Sequence, residues 1–258
     1  MPNIQHNGLR YYKFESLPAK HAIFTRHGGV SPSPWGSLNV GGTVGDDIER
    51  VRKNRILSFE ALECSPESIF DVWQIHSADV VCARAPRPTD ESYRQADIIL
   101  TDKPEVTLFM RFADCVPILV QDLRNGIIGL AHAGWMGTLR DVATITIDAM
   151  KKNYGSNPAD IIACIGPSIG PDHYEIGADV ILQVMQKFGD ESESLLASHN
   201  GKIHFNLWET NRRLLERAGV EHIEISGICT ACHTDDWFSH RAEKGRTGRF
   251  GALISLQQ

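Results

Sequence analysis

Apolar residues follow two spacings along the chain, and together these predict a mixture of strands and helices. Short continuous apolar runs predict buried strands, whereas apolar residues three and four positions apart predict helices. The predicted strands cover residues 107–112, 116–121, 126–131, 161–165, 223–228 and 250–256. The predicted helices begin after Asp46 or Asp47, near Gly137, at Ala178 and after Asn206. Two polar stretches, 84–94 and 189–200, predict surface loops.

The order of these elements favours an α+β fold. Strands and helices mix irregularly and do not alternate as they would around a doubly wound parallel sheet. No internal repeat and no Pro/Gly/Ser-rich linker divides the 258 residues. We therefore expect a single mixed α/β domain over residues 1–258, in which packed mixed sheets are flanked by helices.

Composition and charge narrow the classes of function. A formal net charge of -6 argues against a nucleic-acid partner, because a phosphate backbone favours a basic face. No stretch approaches ~18 consecutive apolar residues, which argues against a membrane span. The N-terminus lacks the basic start and apolar stretch of a signal peptide. We therefore expect a cytoplasmic protein whose six cysteines are reduced thiols.

Three soft or borderline metal donors occur at the ends of predicted strands. His76 lies in WQIHSADV, Cys115 in FADCVPILV and His132 in LAHAGW. Two imidazoles and a thiolate suit zinc or copper, and three protein ligands would leave a fourth position for water or substrate, as in a catalytic zinc site. Their separations match no compact metal motif, so an ordinary core cysteine and two structural histidines remain the alternative.

Two glycine-containing turns carry basic residues that suit an anionic ligand. Arg26 and Gly28 belong to the turn TRHGGVS, where backbone amides and the guanidinium could line a substrate pocket. Asn39 follows closely and could contact a base or ribose edge. Arg249 ends the segment GRTGR, a second candidate anion turn. The alternative for both turns is an exposed loop without a ligand.

The segment CTACH at residues 229–233 combines a CxxC pair with a histidine. A c-type haem site would need export, a zinc ribbon would need a second CxxC, and a thioredoxin-like motif would open a helix after an early strand. The sequence meets none of these conditions. We interpret the pair as structural, lining the pocket at most.

Five segments together resemble the laccase-domain family, also called YfiH-like or peptidoglycan editing factor. They are WQIHSADV, FADCVPILV, LAHAGW, IGPSIG and FSHRAEKGRTGRFG, and the likeness runs from Thr25 to the C-terminal strand. The resemblance implies a metal centre of His76, Cys115 and His132. It implies a zinc-dependent enzyme that phosphorolyses adenosine, inosine and S-methyl-5′-thioadenosine, with adenosine deamination as a further activity. Other members are described as copper-dependent polyphenol oxidases.

One position departs from the family pattern. An arginine usually follows His-Ala-Gly-Trp, and Met136 stands there in this chain. An arginine beside the metal could bind phosphate through two parallel hydrogen bonds. In this chain, Arg26, Arg241 or Arg249 would then bind the phosphate in place of that arginine. Asp114, next to the implied cysteine ligand, is the candidate for catalytic proton transfer, or alternatively for orienting a ligand.

The partners that the resemblance implies are small molecules, a purine nucleoside and phosphate, and it leaves the oligomeric state open. Three other functions also stay open. A copper oxidase would use the same donors. An amide hydrolase acting on cell-wall precursors would use Cys115 as nucleophile and His132 as base. A non-enzymatic protein would use zinc only to stabilise a surface for a partner.

Overall fold

The structure, a computed structural model, describes residues 3–6, 8–88 and 90–256. Within these ranges the chain forms fourteen β-strands, numbered in chain order. The first seven are β1 Asn3–His6, β2 Leu9–Tyr12, β3 Lys20–Phe24, β4 Ile69–Phe70, β5 Val80–Cys82, β6 Ile98–Thr101 and β7 Thr107–Phe112. The other seven are β8 Val116–Asp122, β9 Ile127–Ala133, β10 Ile161–Ile165, β11 Leu196–His199, β12 Lys202–Phe205, β13 His222–Ile225 and β14 Phe250–Ser255.

Six α-helices occur in the same part of the chain. They are α1 Ile48–Glu60, α2 Trp135–Leu139, α3 Val142–Tyr154, α4 Ala178–Phe188, α5 Ser192–Leu195 and α6 Leu207–Arg217. Short 3₁₀ turns occupy Pro66–Ser68, Pro158–Asp160 and Gly189–Glu191. Across the residues described, no helix has the length and apolar character needed to cross a bilayer.

Most strands belong to two six-stranded mixed sheets. Sheet 1 has the order β1-β2-β3-β14-β7-β4, and its neighbours are antiparallel except for the parallel pair β7 and β4. Sheet 2 has the order β13-β10-β8-β9-β6-β5, with parallel pairs only at its two edges. β11 and β12 form a separate antiparallel pair.

The two sheets pack face to face, and helices cover both outer faces. Met110 and Ile254 of sheet 1 meet Leu119 and Leu130 of sheet 2 in the core between the sheets. Helix α1 covers the other face of sheet 1 through Phe59, and α3 and α6 cover the other face of sheet 2. Burial of apolar side chains in these three layers drives the assembly. The predicted α+β arrangement of packed mixed sheets flanked by helices is confirmed.

Several local predictions are also confirmed. Strands β7 and β10 have the predicted bounds, and α1 begins after a capping residue. The Asp47 carboxylate accepts hydrogen bonds from the backbone N of Glu49 and Arg50. The Asn206 side chain caps α6 in the same way by accepting from the backbone N of Glu209.

Two local predictions were wrong. The helix predicted from Gly137 is instead two helices, α2 and α3, because Asp141 adopts a left-handed conformation with φ 61°, which interrupts helical hydrogen bonding. The stretch 189–200, predicted as a loop, contains α5 and β11. Strand β11 pairs with β12, whose Phe205 is fully buried, so tertiary burial outweighs the local polarity.

The chain passes from sheet 1 to sheet 2 twice at the same end of the sandwich. The parallel strands β4 and β7 belong to sheet 1, whereas the strands that follow them, β5 and β8, belong to sheet 2. His76 lies in the first crossing, and Asp114 and Cys115 form the second. Both His76 and Asp114 have a positive φ, 59° and 79° respectively, so the backbone turns sharply at each. The crossings therefore bring two distant segments together.

A buried histidine in sheet 1 couples folding to pH. His21, in β3, is fully buried. Its Nε2 accepts a hydrogen bond from the backbone N of Phe14 at 2.9 Å, and its Nδ1 donates to the carbonyl of Ala19 at 2.7 Å. This pattern requires the neutral imidazole. Burial lowers the pKa of His21 from its ordinary value to about 4.

We expect His21 to contribute a pH dependence of about 2 kcal/mol to the free energy of unfolding between about pH 7.5 and about pH 5. The folded pKa is depressed, so the unfolded chain binds the proton more readily. The contribution is therefore present above the ordinary histidine pKa and is lost as pH falls toward 4. Urea unfolding at the two pH values measures it.

The variants to compare are His21→Gln and His222→Gln, since His222 is an exposed histidine in β13. The first should lose about 2 kcal/mol of the wild-type pH dependence, and the second should keep it. The same pH dependence in all three proteins would contradict the prediction.

Candidate metal centre and its cavity

The three predicted metal ligands converge where the two crossings meet. The ligand atoms of His76, Cys115 and His132 lie within 4.8 Å of one another. Cys115 Sγ is 4.0 Å from His76 Nε2, and the two imidazole ring centres are 5.0 Å apart. His132 reaches the group from β9, which pairs with β8 beside the second crossing. The fold thus places three donors from three segments around one point.

A buried aspartate that sequence reasoning did not single out fixes both histidines. Asp97, directly before β6, accepts a hydrogen bond from His132 Nδ1 through Oδ1 at 2.8 Å. Its Oδ2 accepts from the backbone N of Ile75 and Ser77 at 3.1 and 2.6 Å. These two residues flank His76, so one carboxylate holds that loop and also leaves His132 Nε2 as the available ligand atom.

Gly134 leaves room for the centre. A Cβ at this position would meet Cys115 Sγ at 2.8 Å and His76 Cδ2 at 3.2 Å. Gly134 also directly precedes α2, so the helix begins against the donors. The glycine of the segment LAHAGW is therefore required by close approach of two ligands to the backbone.

The electrostatics favour a thiolate. Burial alone would raise the pKa of Cys115, but the neighbouring His132 and His76 outweigh it and lower the pKa to about 6. Burial alone would lower the pKa of His132, but Cys115 and Asp97 outweigh it and raise the pKa to about 9. The thiolate that a metal ion needs is thus already favoured by the surroundings.

These residues fit a transition-metal ion. Metal–ligand bonds of about 2.0–2.3 Å at a tetrahedral angle place a nitrogen and a sulfur ligand roughly 3.5 Å apart, close to the observed 4.0 Å between Cys115 and His76. Two imidazoles and one thiolate are donors that zinc and copper both accept. With three protein ligands, a fourth position would face the space above the centre.

A cavity of about 630 Å³ opens above the donors, a size common for small-molecule sites. His76, Cys115 and His132 all line it. Four aromatic side chains also line it: Trp73, Tyr93, Trp135 and Tyr174. Their rings offer flat apolar faces against which a planar heterocycle can stack.

One wall of the cavity carries excess positive charge. Asp71 is fully buried behind it, with Arg87 Nε 2.8 Å from Oδ1. Arg55 and Arg111 lie 3.7 and 3.8 Å from Oδ2, and both line the cavity. The side chain of Gln74 accepts from Arg111 Nε at 3.2 Å and fixes it further. Because one carboxylate cannot balance three guanidinium groups, the wall favours an anion.

Three more predicted site residues line the same cavity: Asp114, Arg241 and Arg249. Asp114 accepts from the backbone N of Arg241 at 2.6 Å and from Thr230 Oγ1 at 2.7 Å. The Arg241 guanidinium lies over the Tyr174 ring, 5.1 Å from its centre. Asp114 therefore joins the metal donors to the loops that carry Arg241 and Thr230.

Asn39 lies behind the cavity wall. Its Oδ1 accepts from the backbone N of Gly41 and Arg249 at 2.9 and 2.8 Å. Its Nδ2 donates to Asp46 Oδ2 at 2.8 Å and to the carbonyl of Gly41 at 3.2 Å. The amide is fully buried and these bonds use its donors and acceptors. Asn39 thus positions Gly41 and Arg249, both of which line the cavity.

The structure does not bring Arg26, Gly28 or Met136 to the cavity lining. The Arg26 guanidinium donates to backbone carbonyls and to Glu243, and it lies over the Phe238 ring. Gly28 has φ +89°, and a Cβ there would meet the backbone of residue 8 at 2.4 Å. Met136 is half-buried in α2, next to Trp135, which does line the cavity. Arg26 therefore joins its loop to the segment of residues 234–243, and Gly28 lets the same loop pack against residue 8.

Sequence reasoning missed the residues that organise the site. Asp97 begins the run DIIL, and a charged residue directly before a buried strand was the available signal. Arg111 lies within an otherwise apolar strand, TLFMRF, which also marks it as unusual. Arg55 carries no such mark, because α1 contains several arginines. Only the tertiary structure distinguishes it.

The fold and site define a class of protein: an α+β sandwich with a candidate His₂Cys metal centre at the base of a cationic, aromatic cavity. The chain belongs to the laccase-like YfiH family, since the family profile described as multi-copper polyphenol oxidoreductase laccase matches residues 20–257. The resemblance noted in the sequence is thereby confirmed.

Relatives and solved structures agree with this assignment. The chain is 34% identical to a purine nucleoside phosphorylase of Bacteroides thetaiotaomicron, over 96% of this chain and 97% of that protein. It is 36% identical to a purine nucleoside phosphorylase of Deinococcus radiodurans, over 96% and 94%. The crystal structure of the Bacillus licheniformis hypothetical protein YfiH superposes with a TM-score of 0.91 at 32% identity, covering 99% of both chains.

We expect Asp97→Asn to weaken zinc binding by about ten- to a hundredfold, because the variant removes the charge that orients His132 and the His76 loop. The matched control is Asp102→Asn, since Asp102 lies just after β6 and pairs with Lys103 at the surface. Competition with a chelating dye measures both affinities. Wild-type affinity in Asp97→Asn would contradict the role given to this carboxylate.

Proposed function

We propose that the chain is a zinc-dependent purine nucleoside phosphorylase. Its substrates are adenosine and inosine, extending to S-methyl-5′-thioadenosine, together with inorganic phosphate. The products are the free purine base and the ribose 1-phosphate. We further propose that it acts in the cytoplasm, where both substrates occur as free small molecules.

One observation carries the proposal: a single cavity joins the metal donors, an aromatic wall and a cationic wall. The aromatic faces of Trp73, Tyr93, Trp135 and Tyr174 match a planar purine. The arginine wall matches phosphate, which guanidinium groups bind in pairs of hydrogen bonds. The names of the relatives support the same combination of nucleoside and phosphate.

The cavity suggests how its own residues would act. In phosphorolysis, a phosphate oxygen bonds to C1′ of the ribose while the C1′–N bond to the purine breaks, and the base takes the bond electrons and a proton. Arg55 and Arg111 would hold the phosphate against the ribose, since both face the cavity and share one carboxylate behind them. Positioning and charge neutralisation would thus provide most of the rate enhancement.

The metal donors would add a further effect. A zinc ion held by His76, Cys115 and His132 would supply Lewis-acid stabilisation of negative charge in the cavity. Arg241 and Arg249 would extend the cationic surface, in place of the arginine that Met136 replaces in the family pattern. The proton-transfer role of Asp114 stays a prediction, and its hydrogen bonds to Arg241 and Thr230 give it a positioning role as well.

A second candidate rests on the charge state of Cys115. A thiolate beside a protonated His132 is the arrangement of a cysteine nucleophile and its base, so an amide hydrolase acting on cell-wall precursors remains a candidate. The copper oxidase has weaker support. Among the described residues only two groups of donors could hold a metal, and neither is the histidine-rich cluster that several copper ions require.

The direct test is to incubate zinc-loaded protein with inosine, adenosine or S-methyl-5′-thioadenosine, with and without phosphate, and to identify the products by chromatography. We expect free base and ribose 1-phosphate only when phosphate is present, and loss of turnover after chelation. Inosine formed from adenosine without phosphate reports deamination in the same samples. Amide hydrolysis that survives chelation, with no base released, would favour the cysteine hydrolase instead.

We expect Arg55→Met to raise the KM for phosphate by roughly ten- to a hundredfold, because it removes a charged hydrogen bond worth about 1.5–3 kcal/mol. The KM for inosine should change little. The matched control is Arg52→Met on the same helix, since Arg52 is exposed and pairs with Glu49. Thermal melting confirms folding of both variants. An equal rise in both KM values for Arg55→Met would place Arg55 outside the phosphate site.

A further inference from the structure

A second group of metal donors lies outside the cavity, where two loops meet. Asp172 and His173 come from the loop after β10, and Cys229 and Cys232 from the loop after β13. The four ligand atoms lie within 4.8 Å of one another. Cys232 Sγ is 3.4 Å from both His173 Nδ1 and Asp172 Oδ2, and Cys229 Sγ is 3.9 Å from His173 Nδ1.

Backbone contacts hold the two loops that carry this group of donors. The two loops are joined by a parallel bridge between Ser168 and Cys229. The backbone N of Gly170 donates to Cys229 Sγ at 3.1 Å, which fixes the position of that sulfur. A Cβ at Gly170 would meet Asp172 Oδ1 at 2.7 Å and Cys229 Sγ at 3.2 Å. Position 170 therefore needs glycine for two of the donors to approach.

The spacing of these four residues in the sequence does not indicate a shared metal site. A CxxC pair normally completes a zinc site with a second CxxC, and the sequence contains none. The fold completes the set instead with Asp172 and His173, which lie well before Cys229 and Cys232 in the chain. Three of the four residues are exposed, so a metal ion can reach them from solvent.

We propose that Asp172, His173, Cys229 and Cys232 form a second, structural zinc site. Two thiolates, one imidazole and one carboxylate complete a tetrahedral set, so no position is left open for substrate. Thiolate ligands select zinc over magnesium or calcium, which prefer oxygen donors. The site is independent of the catalytic function proposed above, because it shares no ligand with His76, Cys115 and His132.

The position of the site gives it a function. Thr230, between the two cysteines, donates to Asp114 Oδ1 at 2.7 Å, and the backbone N of Ile169 donates to the Asp114 carbonyl at 2.9 Å. Tyr174, which follows His173, lines the cavity. A metal ion that clamps the two loops would therefore hold the crossing at Asp114 and one aromatic wall in place.

Metal content tests the proposal. Reduced protein is loaded with zinc, freed of excess metal, and analysed by mass spectrometry for zinc per chain. We expect two zinc ions in the wild type and one in Cys232→Ser or His173→Gln. Cys115→Ser should also retain one, and the variant that combines Cys115→Ser with Cys232→Ser should retain none. The matched control is Cys64→Ser, which replaces a half-buried cysteine that belongs to neither group, and it should retain two.

Cobalt substitution distinguishes the two sites by their ligands. Co²⁺ bound by two thiolates gives a stronger thiolate-to-metal absorption than Co²⁺ bound by one, so Cys232→Ser should lose the larger part of the band and Cys115→Ser the smaller part. Zinc should raise the melting temperature of Cys115→Ser but not that of the double variant.

The proposal is overturned if reduced, zinc-loaded wild type holds only the ion that Cys115→Ser removes, or if Cys232→Ser and His173→Gln bind as much zinc as the wild type. A disulfide between Cys229 and Cys232 that persists under reductant would overturn it as well.

Discussion

The candidate metal centre depends on one buried carboxylate. One carboxylate oxygen of Asp97 accepts a hydrogen bond from Nδ1 of His132. The other oxygen accepts hydrogen bonds from the two backbone N–H groups that flank His76. A buried charge is costly unless hydrogen bonds surround it, and here those bonds come from the two segments that must meet. The same interaction therefore satisfies Asp97, leaves Nε2 of His132 facing the candidate metal centre and sets the loop of His76.

The buried carboxylate behind the cavity wall is less completely hydrogen-bonded than Asp97. Asp71 is also buried, but three arginines share it, and its Oδ2 has no hydrogen-bond partner among the described residues. The charge that Asp71 leaves unbalanced points into the cavity through Arg55 and Arg111. Fixed, partly desolvated guanidinium groups repel one another, so a bound anion would offset a local destabilisation of the fold. Asp97 holds donors in place, whereas Asp71 leaves a surface with excess positive charge that favours an anion.

The sequence predicted the buried strands and the three converging donors better than the contacts that organise the site around them. Continuous apolar runs identified strands such as β7 and β10, because burial on both faces leaves a strong local signal. Family segments pointed to His76, Cys115 and His132, which the fold brings together. Residues that act through tertiary contacts were harder to predict: Arg55 carries no local mark, and Asp97 is marked only by its place directly before a buried strand. Arg26 resembles a ligand residue, although its guanidinium donates to the backbone carbonyls of Gly36 and Thr234. Which polar side chains share a cavity is decided by how the two sheets pack.

The two crossings between the sheets have a consequence for dynamics. His76 and Cys115 lie on the segments that link sheet 1 to sheet 2, and His132 belongs to sheet 2 itself. An ion bound by these three residues would tie the two linking segments together at one end of the sandwich, and its release would free both segments at once. Local unfolding would then begin at this end and spread between the two sheets. The backbone amide protons of the two crossings would exchange with solvent long before the amide protons at the opposite end of the sandwich. The occupancy of the centre would thus be recorded in the motion of the backbone as well as in catalysis.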